Sequence, residues 1–305
     1  MRTKALPFII LLFTISQNLL AQDSTNLMNQ LINQSEKGKT NYTESTFLYT
    51  RILDGHSVET LPKNVLDVRI SHRFGPLNSG IYNFFGLDYS PFDVRIGFDY
   101  GITNNIMIGG GHSGFQKTYD LFGKFRIMRQ STGKVNAPFT ITLVPTVAIN
   151  SLQQNQLSVK PDSGTAIKRA SYVFQLLIAR KFSEGFSMQL MPTLVHPDNI
   201  SFAHTSKNIF AIGVAGREKL SKRMSLVAEY YYQLPNEKAP GSHNVLSFGI
   251  NIWTGGHVFQ LLFTNSYGLT EKSFIAETPG SWSKGDELFG FNISRVFELG
   301  KKHKK

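Results

Sequence analysis

From Val65 to Phe297 apolar and polar residues alternate with a period of two, the signature of strands buried on one face. Val65 to Phe74 is the clearest stretch. Leu66, Val68, Ile70 and Phe74 share one side, and Asp67, Arg69, Ser71 and Arg73 the other. The same alternation at 93–101, 105–112, 118–129, 139–150, 172–181, 186–195, 208–216, 224–233, 244–253, 257–266 and 288–297 predicts about twelve strands of about ten residues, the length that crosses a bilayer at barrel tilt. The odd-numbered connections average about 14 residues and the even-numbered ones about 5, as in membrane barrels with turns at one end and loops at the other. A sandwich has no reason to sort its loops by end. The short connections hold Thr103-Asn104-Asn105, Ser183-Glu184-Gly185 and Thr254-Gly255-Gly256, residues able to supply positive φ. The pattern predicts an all-β chain, a single antiparallel transmembrane β-barrel over 65–297 with both termini on the short-turn, periplasmic side.

Upstream the pattern differs. Arg2 and Lys4 precede an apolar stretch from Leu6 to Ile15, and Leu19-Leu20-Ala21 ends on a small residue, so 1–21 reads as a cleaved signal peptide. Leu27, Met28, Leu31 and Ile32 recur at helical spacing, then the chain turns polar. We therefore expect 22–64 to be a periplasmic segment with a short helix and a linker, and 298–305 to be a basic periplasmic tail.

Composition agrees with a surface that meets lipid. Charged residues make up 17% of the chain, below the roughly 25% of soluble domains, and aromatic residues 12%. With no cysteine, lipidation, disulfides, thiolate metal sites and covalent haem are excluded. Without Arg2 and Lys4, 30 basic residues stand against 21 acidic ones. An exported chain with no basic stretch interleaved with aromatics gives no reason to expect nucleic acid. The turn residues Arg217, Lys219, Lys222 and Arg223 instead make the periplasmic rim basic, which would suit an acidic periplasmic partner or simply aid solubility.

Parity sorts the strand residues. Ile96, Phe98, Leu121, Phe125, Phe174, Leu261, Phe263, Phe289 and Phe291 fall on the face predicted to meet outer-membrane lipid. His72, Arg129, Arg180 and Arg295 break that parity near strand ends. On the inward face Asp67, Arg69, Arg73, Asp93, Arg95, Asp99, Asp120, Lys124 and Arg126 gather on the first, second and fourth strands, with Lys181 and Glu229 the other two inward charges. The remaining strands turn Thr, Ser, Gln, Ala and Gly inward, together with Val173, Leu177, Met191, Val195, Val227, Tyr231 and Trp253. Such a lumen reads either as a narrow passage whose charges select a small solute or amphipathic ligand, or as a wall braced by salt bridges.

Two further constellations bear on chemistry. Gly55-His56-Ser57-Val58-Glu59 has an H-x-x-E spacing that could place His56 and Glu59 on one ligand, with His72 beyond it. Lacking a third fixed ligand, it equally describes a linker or plug hydrogen-bonding the barrel mouth, and no metal or other cofactor is expected. Gly109-Gly110-Gly111 sits within a strand pattern and reads as relief of crowding. Gly-x-Ser-x-Gly, phosphate-loop and H-E-x-x-H motifs are missing from the sequence. His196 with Asp198, or His112 with Ser113, leaves a rim hydrolase as the least supported reading.

Gly55 to Thr60, Asp67 to Gly75, Asn83 to Asp88, Gly97 to Gly101, Lys117 to Asp120 and Arg129 to Thr132 resemble an uncharacterised β-barrel family of Gram-negative bacteria, labelled domain of unknown function 5777. The resemblance implies an exported outer-membrane barrel and carries no assigned activity. The function expected is non-enzymatic: a narrow channel or transporter for a small solute, or else a sealed structural or ligand-binding barrel that engages a periplasmic partner.

Overall fold

The structure, a computed structural model, describes residues 38–89, 93–153, 169–198, 208–235, 238 and 241–300. The expected signal peptide, the helix expected at 27–32 and the last five residues of the tail lie outside them.

Twelve antiparallel strands form a closed barrel. In chain order they are β2 (Val65–Pro76), β3 (Asp93–Gly101), β4 (Ile106–Ser113), β5 (Thr118–Met128), β7 (Thr140–Asn150), β8 (Ala170–Lys181), β9 (Phe186–His196), β10 (Ile209–Lys219), β11 (Met224–Gln233), β12 (Val245–Trp253), β13 (His257–Thr264) and β14 (Leu288–Glu298). Each pairs with its neighbours in sequence, and β14 closes the ring on β2, with Ile293 opposite Ile70. Two short strands, β1 (Thr40–Tyr42) and β6 (Ser131–Gly133), make a separate ribbon. The twelve strands expected from alternation are all present, with boundaries moved by three residues or fewer. Closure explains why period two suffices as a signal: no edge is left, so each strand faces the lumen on one side and the surroundings on the other.

Burial follows parity. Asp67, Arg69, Ser71 and Arg73 are buried in β2, and the residues between them are not. Ile96, Phe98, Leu121, Phe125, Phe174, Leu261 and Phe263 stand exposed on the outer face. The three arginines that break parity lie over aromatic rings: Arg129 over Tyr42, Arg180 over Phe139 and Phe182, and Arg295 over Phe297. Their stems thus stay on apolar surface while the charged heads sit near strand ends. His72 packs against Phe74 and Phe291. Of the apolar residues read as inward, only Trp253 is exposed, at 44%, at the end of β12.

The segment before β2 differs from expectation. Read as part of a periplasmic linker, it instead enters the barrel. Residues from Thr46 to Val58 are almost all buried, with Ile52 and His56 at 0% exposure. The backbone forms a hairpin. Ile52 N–H donates to Gly55 O at 2.8 Å, Ser57 N–H donates to Thr50 O at 3.0 Å, and Arg51 bridges His56. From the loop between β13 and β14 a short helix, α1 (Glu271–Ala276), also enters the interior, with all six residues buried. Phe47, Ile52, Leu53 and Val58 of the hairpin and Phe274 and Ile275 of α1 share one apolar cluster with Val173, Leu177, Met191, Val227 and Leu262 of the wall. The physical reason is the size of the ring. Twelve strands enclose more space than the side chains of an eight-stranded barrel can fill, so the chain fills it with backbone.

Candidate functional site: the plugged lumen

A buried hairpin must find partners for its peptide groups, and here the wall supplies them. On the charged side, Lys124 Nζ donates to the carbonyls of Thr50 at 2.8 Å and of Ser57 and Glu59 at 3.0 Å each. Elsewhere amides do the same. Gln260 donates to Ile52 O at 2.6 Å, Asn292 to Leu53 O at 2.9 Å and Gln189 to His56 O at 2.7 Å, while Val58 N–H donates to Gln189 Oε1 at 2.8 Å.

The tip is held most tightly. Arg73 Nη2 meets Asp54 Oδ1 at 2.5 Å, and Ser247 Oγ donates to Asp54 Oδ2 at 2.6 Å. From the opposite wall Glu229 Oε1 accepts the N–H groups of Asp54 at 2.5 Å and Gly55 at 3.2 Å. Residue 55 must be glycine, because a Cβ there would lie 2.2 Å from Tyr231 Oη and 2.9 Å from Glu229. The crowding inferred for the three glycines of β4 is present too, with Asp99 and Phe122 filling the space beside Gly109 and Arg95 that beside Gly111.

The hairpin and α1 meet in the middle. Arg51 binds Glu271, and His56 Nε2 lies 3.0 Å from Glu271 Oε1. Both basic groups pack on Phe122, the guanidinium 5.2 Å above its ring and the imidazole edge-on at 4.4 Å. Burial first, then Arg51, holds the His56 imidazole well below its ordinary pKa, so it is neutral. Burial would raise the Glu271 carboxyl, but Arg51 above all, then His56, hold it well below the usual carboxylate range. The next residue, Lys272, contacts Asp198 at 2.8 Å and Glu277 at 3.2 Å, and these carboxylates outweigh burial and keep its ammonium charged.

The residues singled out by parity thus line the lumen, yet they do not form the ladder that would brace a wall. Arg95 with Asp120, at 2.5 Å, pairs two wall residues, whereas Arg73 and Lys124 spend their charge on the hairpin. Arg126 binds Thr60, and Arg69 stacks 4.8 Å over the Tyr49 ring. Asp93 accepts from Ser113 at 2.6 Å, and Asp67 and Asp99 stand opposite each other in the β2–β3 register.

His56, Glu59 and His72 are not brought together. Glu59 accepts the Phe47 N–H at 3.3 Å beside the mouth, and His72 is on the outer face, its Nδ1 3.1 Å from Asp93 O. Among the described residues no cluster of His and carboxylates could hold a metal. The hydrolase pairs are also separate. His196 meets Asn208 at 2.7 Å while Asp198 meets Lys272, and Ser113 points inward while His112 packs on Tyr119 of the outer face. Arg217, expected in a turn, belongs to β10 and donates to the carbonyls of Ser45 at 2.8 Å and Thr46 at 3.3 Å where the hairpin enters. Beside it a cavity of about 600 Å³, lined by Tyr42, Ser45, Lys181, Phe182, Arg217 and Lys219, forms a vestibule. Sequence reasoning missed Asp54, Gln189, Gln260 and Glu271 as partners in the plug, and it read Glu229 as inward-facing without seeing the hairpin amides it accepts.

A closed barrel with an apolar outer face and a chain-filled, partly ionic lumen defines a plugged transmembrane β-barrel. The chain belongs to the family described as a membrane bound beta barrel domain, of unknown function 5777, which it matches over residues 47–297. That match begins at the first apolar residue of the hairpin, so the family's domain includes the plug as well as the wall. No curated protein matches the chain. Among solved structures it is similar to the KdgM porin (9% identity, 76% of this chain and 99% of that one, TM-score 0.47) and the NanC porin (9% identity, 76% and 98%, TM-score 0.45). An outer-membrane channel from Pseudomonas putida F1 is similar too (11% identity, 79% and 98%, TM-score 0.45).

Proposed function

We propose that the protein is a conduit of the outer membrane for a small solute, exported through the leader at 1–21 and held shut by its own N-terminal hairpin. One observation carries this reading. The lumen keeps a strip of ionic side chains whose principal partners, at Arg73 and Lys124, belong to a separate hairpin and not to the wall. A barrel that needed only to be sealed has no use for them, since well-packed apolar residues in place of a buried ion pair are often neutral or stabilising. With the hairpin withdrawn, Arg69, Arg73, Arg95, Lys124 and Arg126 would face water with Asp67, Asp93, Asp99 and Asp120, opposite a wall whose apolar residues are interrupted by Gln189 and Glu229. That lining suits a small solute with one charged end and one apolar end.

The chain has no cysteine, so a lock can be built into it. Thr142 Oγ1 donates to Val58 O at 3.2 Å, which makes Val58→Cys with Thr142→Cys a crosslink between hairpin and wall. In planar bilayers the wild-type protein should open rarely, Asp54→Ala should open at least tenfold more often, and the oxidised crosslink should abolish opening until reductant is added. Silence from folded, inserted Asp54→Ala protein would overturn the conduit reading in favour of a sealed barrel. Openings unaffected by the crosslink would remove the hairpin as the gate.

A further inference from the structure

The connection between β2 and β3 begins Leu77-Asn78-Ser79-Gly80-Ile81-Tyr82-Asn83-Phe84-Phe85-Gly86-Leu87, eleven residues without a charge, before Asp88. Its large side chains are turned out. Ile81 is 81% exposed, Tyr82 93%, Phe84 61% and Phe85 52%. Isolated exposed apolar residues are ordinary, but this many in one short loop form a patch that marks an interaction surface. The backbone works to present them. Phe84 and Phe85 both have positive φ, 46° and 53°, a conformation that bulky residues avoid and that persists only where surroundings impose it. The restraint is visible. Leu77 N–H donates to Glu287 O at 2.7 Å, Asn78 to Asp286 at 2.9 Å and Phe85 N–H to Gly80 O at 2.9 Å.

The loop is continuous with the lipid-facing surface. A row of rings follows the outer face at this end of the barrel: Trp282 to Phe248 at 5.5 Å, Phe248 to Phe263 at 5.7 Å, Phe263 to Phe289 at 5.6 Å and Phe289 to Phe74 at 5.7 Å. Phe74 is two residues from the end of β2, and the loop begins there. A girdle of this kind marks the membrane–water boundary of a barrel. Apolar rings mixed with Asn78, Ser79, Asn83 and the Tyr82 hydroxyl are the composition that settles at that boundary.

We infer that residues 81–87 insert into the headgroup and upper acyl region of the leaflet at the long-loop end, so that this loop is a lateral membrane anchor. Its occupant is bilayer lipid, and the inference is independent of whether the lumen ever opens. To test it, Tyr82→Cys in the full chain would carry an environment-sensitive fluorophore in phosphatidylcholine vesicles, with Lys284→Cys as the aqueous reference. At position 82 the emission should shift to the blue, brominated acyl chains should quench it, and iodide should quench it at least threefold less than at 284. Equal quenching by iodide at both positions, with none by brominated lipid, would overturn the inference. Iodide protection that disappears when the protein is diluted in lipid would overturn it too, assigning the patch to a second copy of the chain.

Discussion

Strands β2 to β5 meet the hairpin with the cations Arg73, Lys124, Arg69 and Arg126, whereas β8 to β11 set the apolar Val173, Leu177, Met191 and Val227 against it beside the polar contacts of Gln189, Arg217 and Glu229. The first wall holds the segment through a few directional contacts, each costly to leave half made. The second adds to the hydrogen bonds of Gln189 and Glu229 a broad apolar area, which is forgiving of small shifts. A plug built only on the second wall could slide; one built only on the first would carry more desolvated charge than it could repay. Register comes from the ionic side and adhesion from the apolar side.

Breaking one side at a time tests this division. The largest loss is expected for Arg73→Ala, which strands the buried Asp54 carboxylate and should cost about 3–5 kcal/mol in urea unfolding from vesicles. Arg73→Met combined with Asp54→Leu should recover most of it, since both charges then leave together. Leu177→Ala on the other wall should cost about 3 kcal/mol as a cavity and leave the ion preference of any openings unchanged. Lys124→Met should cost less, about 1–3 kcal/mol, because three hairpin carbonyls lose a donor. It should also shift openings toward cations, measured as a reversal potential.

A smaller effect depends on pH. His56 is neutral in the folded protein because burial and Arg51 depress its pKa. The unfolded chain takes up a proton below about pH 6.5 and the folded chain does not. Stability is therefore fully present above that value and declines as pH falls through it. Glu271, depressed in its turn, adds its own loss only below the usual carboxylate range. Unfolding midpoints of His56→Gln should be flatter between those two windows than those of the wild type.

How far the sequence discloses all this depends on whether burial leaves a period. In β2 it does, because lipid and lumen alternate residue by residue, and the inward parity of Asp67, Arg73, Lys124 and the rest can be read directly. The hairpin has two different walls around it and a turn in its middle. Phe47, Ile52, Leu53 and Val58 consequently follow no repeat, and the polar residues among them suit a periplasmic linker as well as a plug at the mouth. Their burial is made possible by Gln189, Glu229, Gln260 and Asn292, each an unremarkable polar residue at an inward position. Glu271 and Lys272 are harder still, since α1 is six residues inside a long connection. The charges of the wall were legible; their partners were not.

Both legs of the hairpin leave through the same mouth, Ser45 and Thr46 held by Arg217, Thr60 and Lys63 by Asn104. In the language of ropes it is a bight and not a thread. Nothing needs to be passed end-first through the ring, so the β14–β2 seam can zip during assembly before the hairpin seats. For the same reason the proposed withdrawal would leave every wall strand paired.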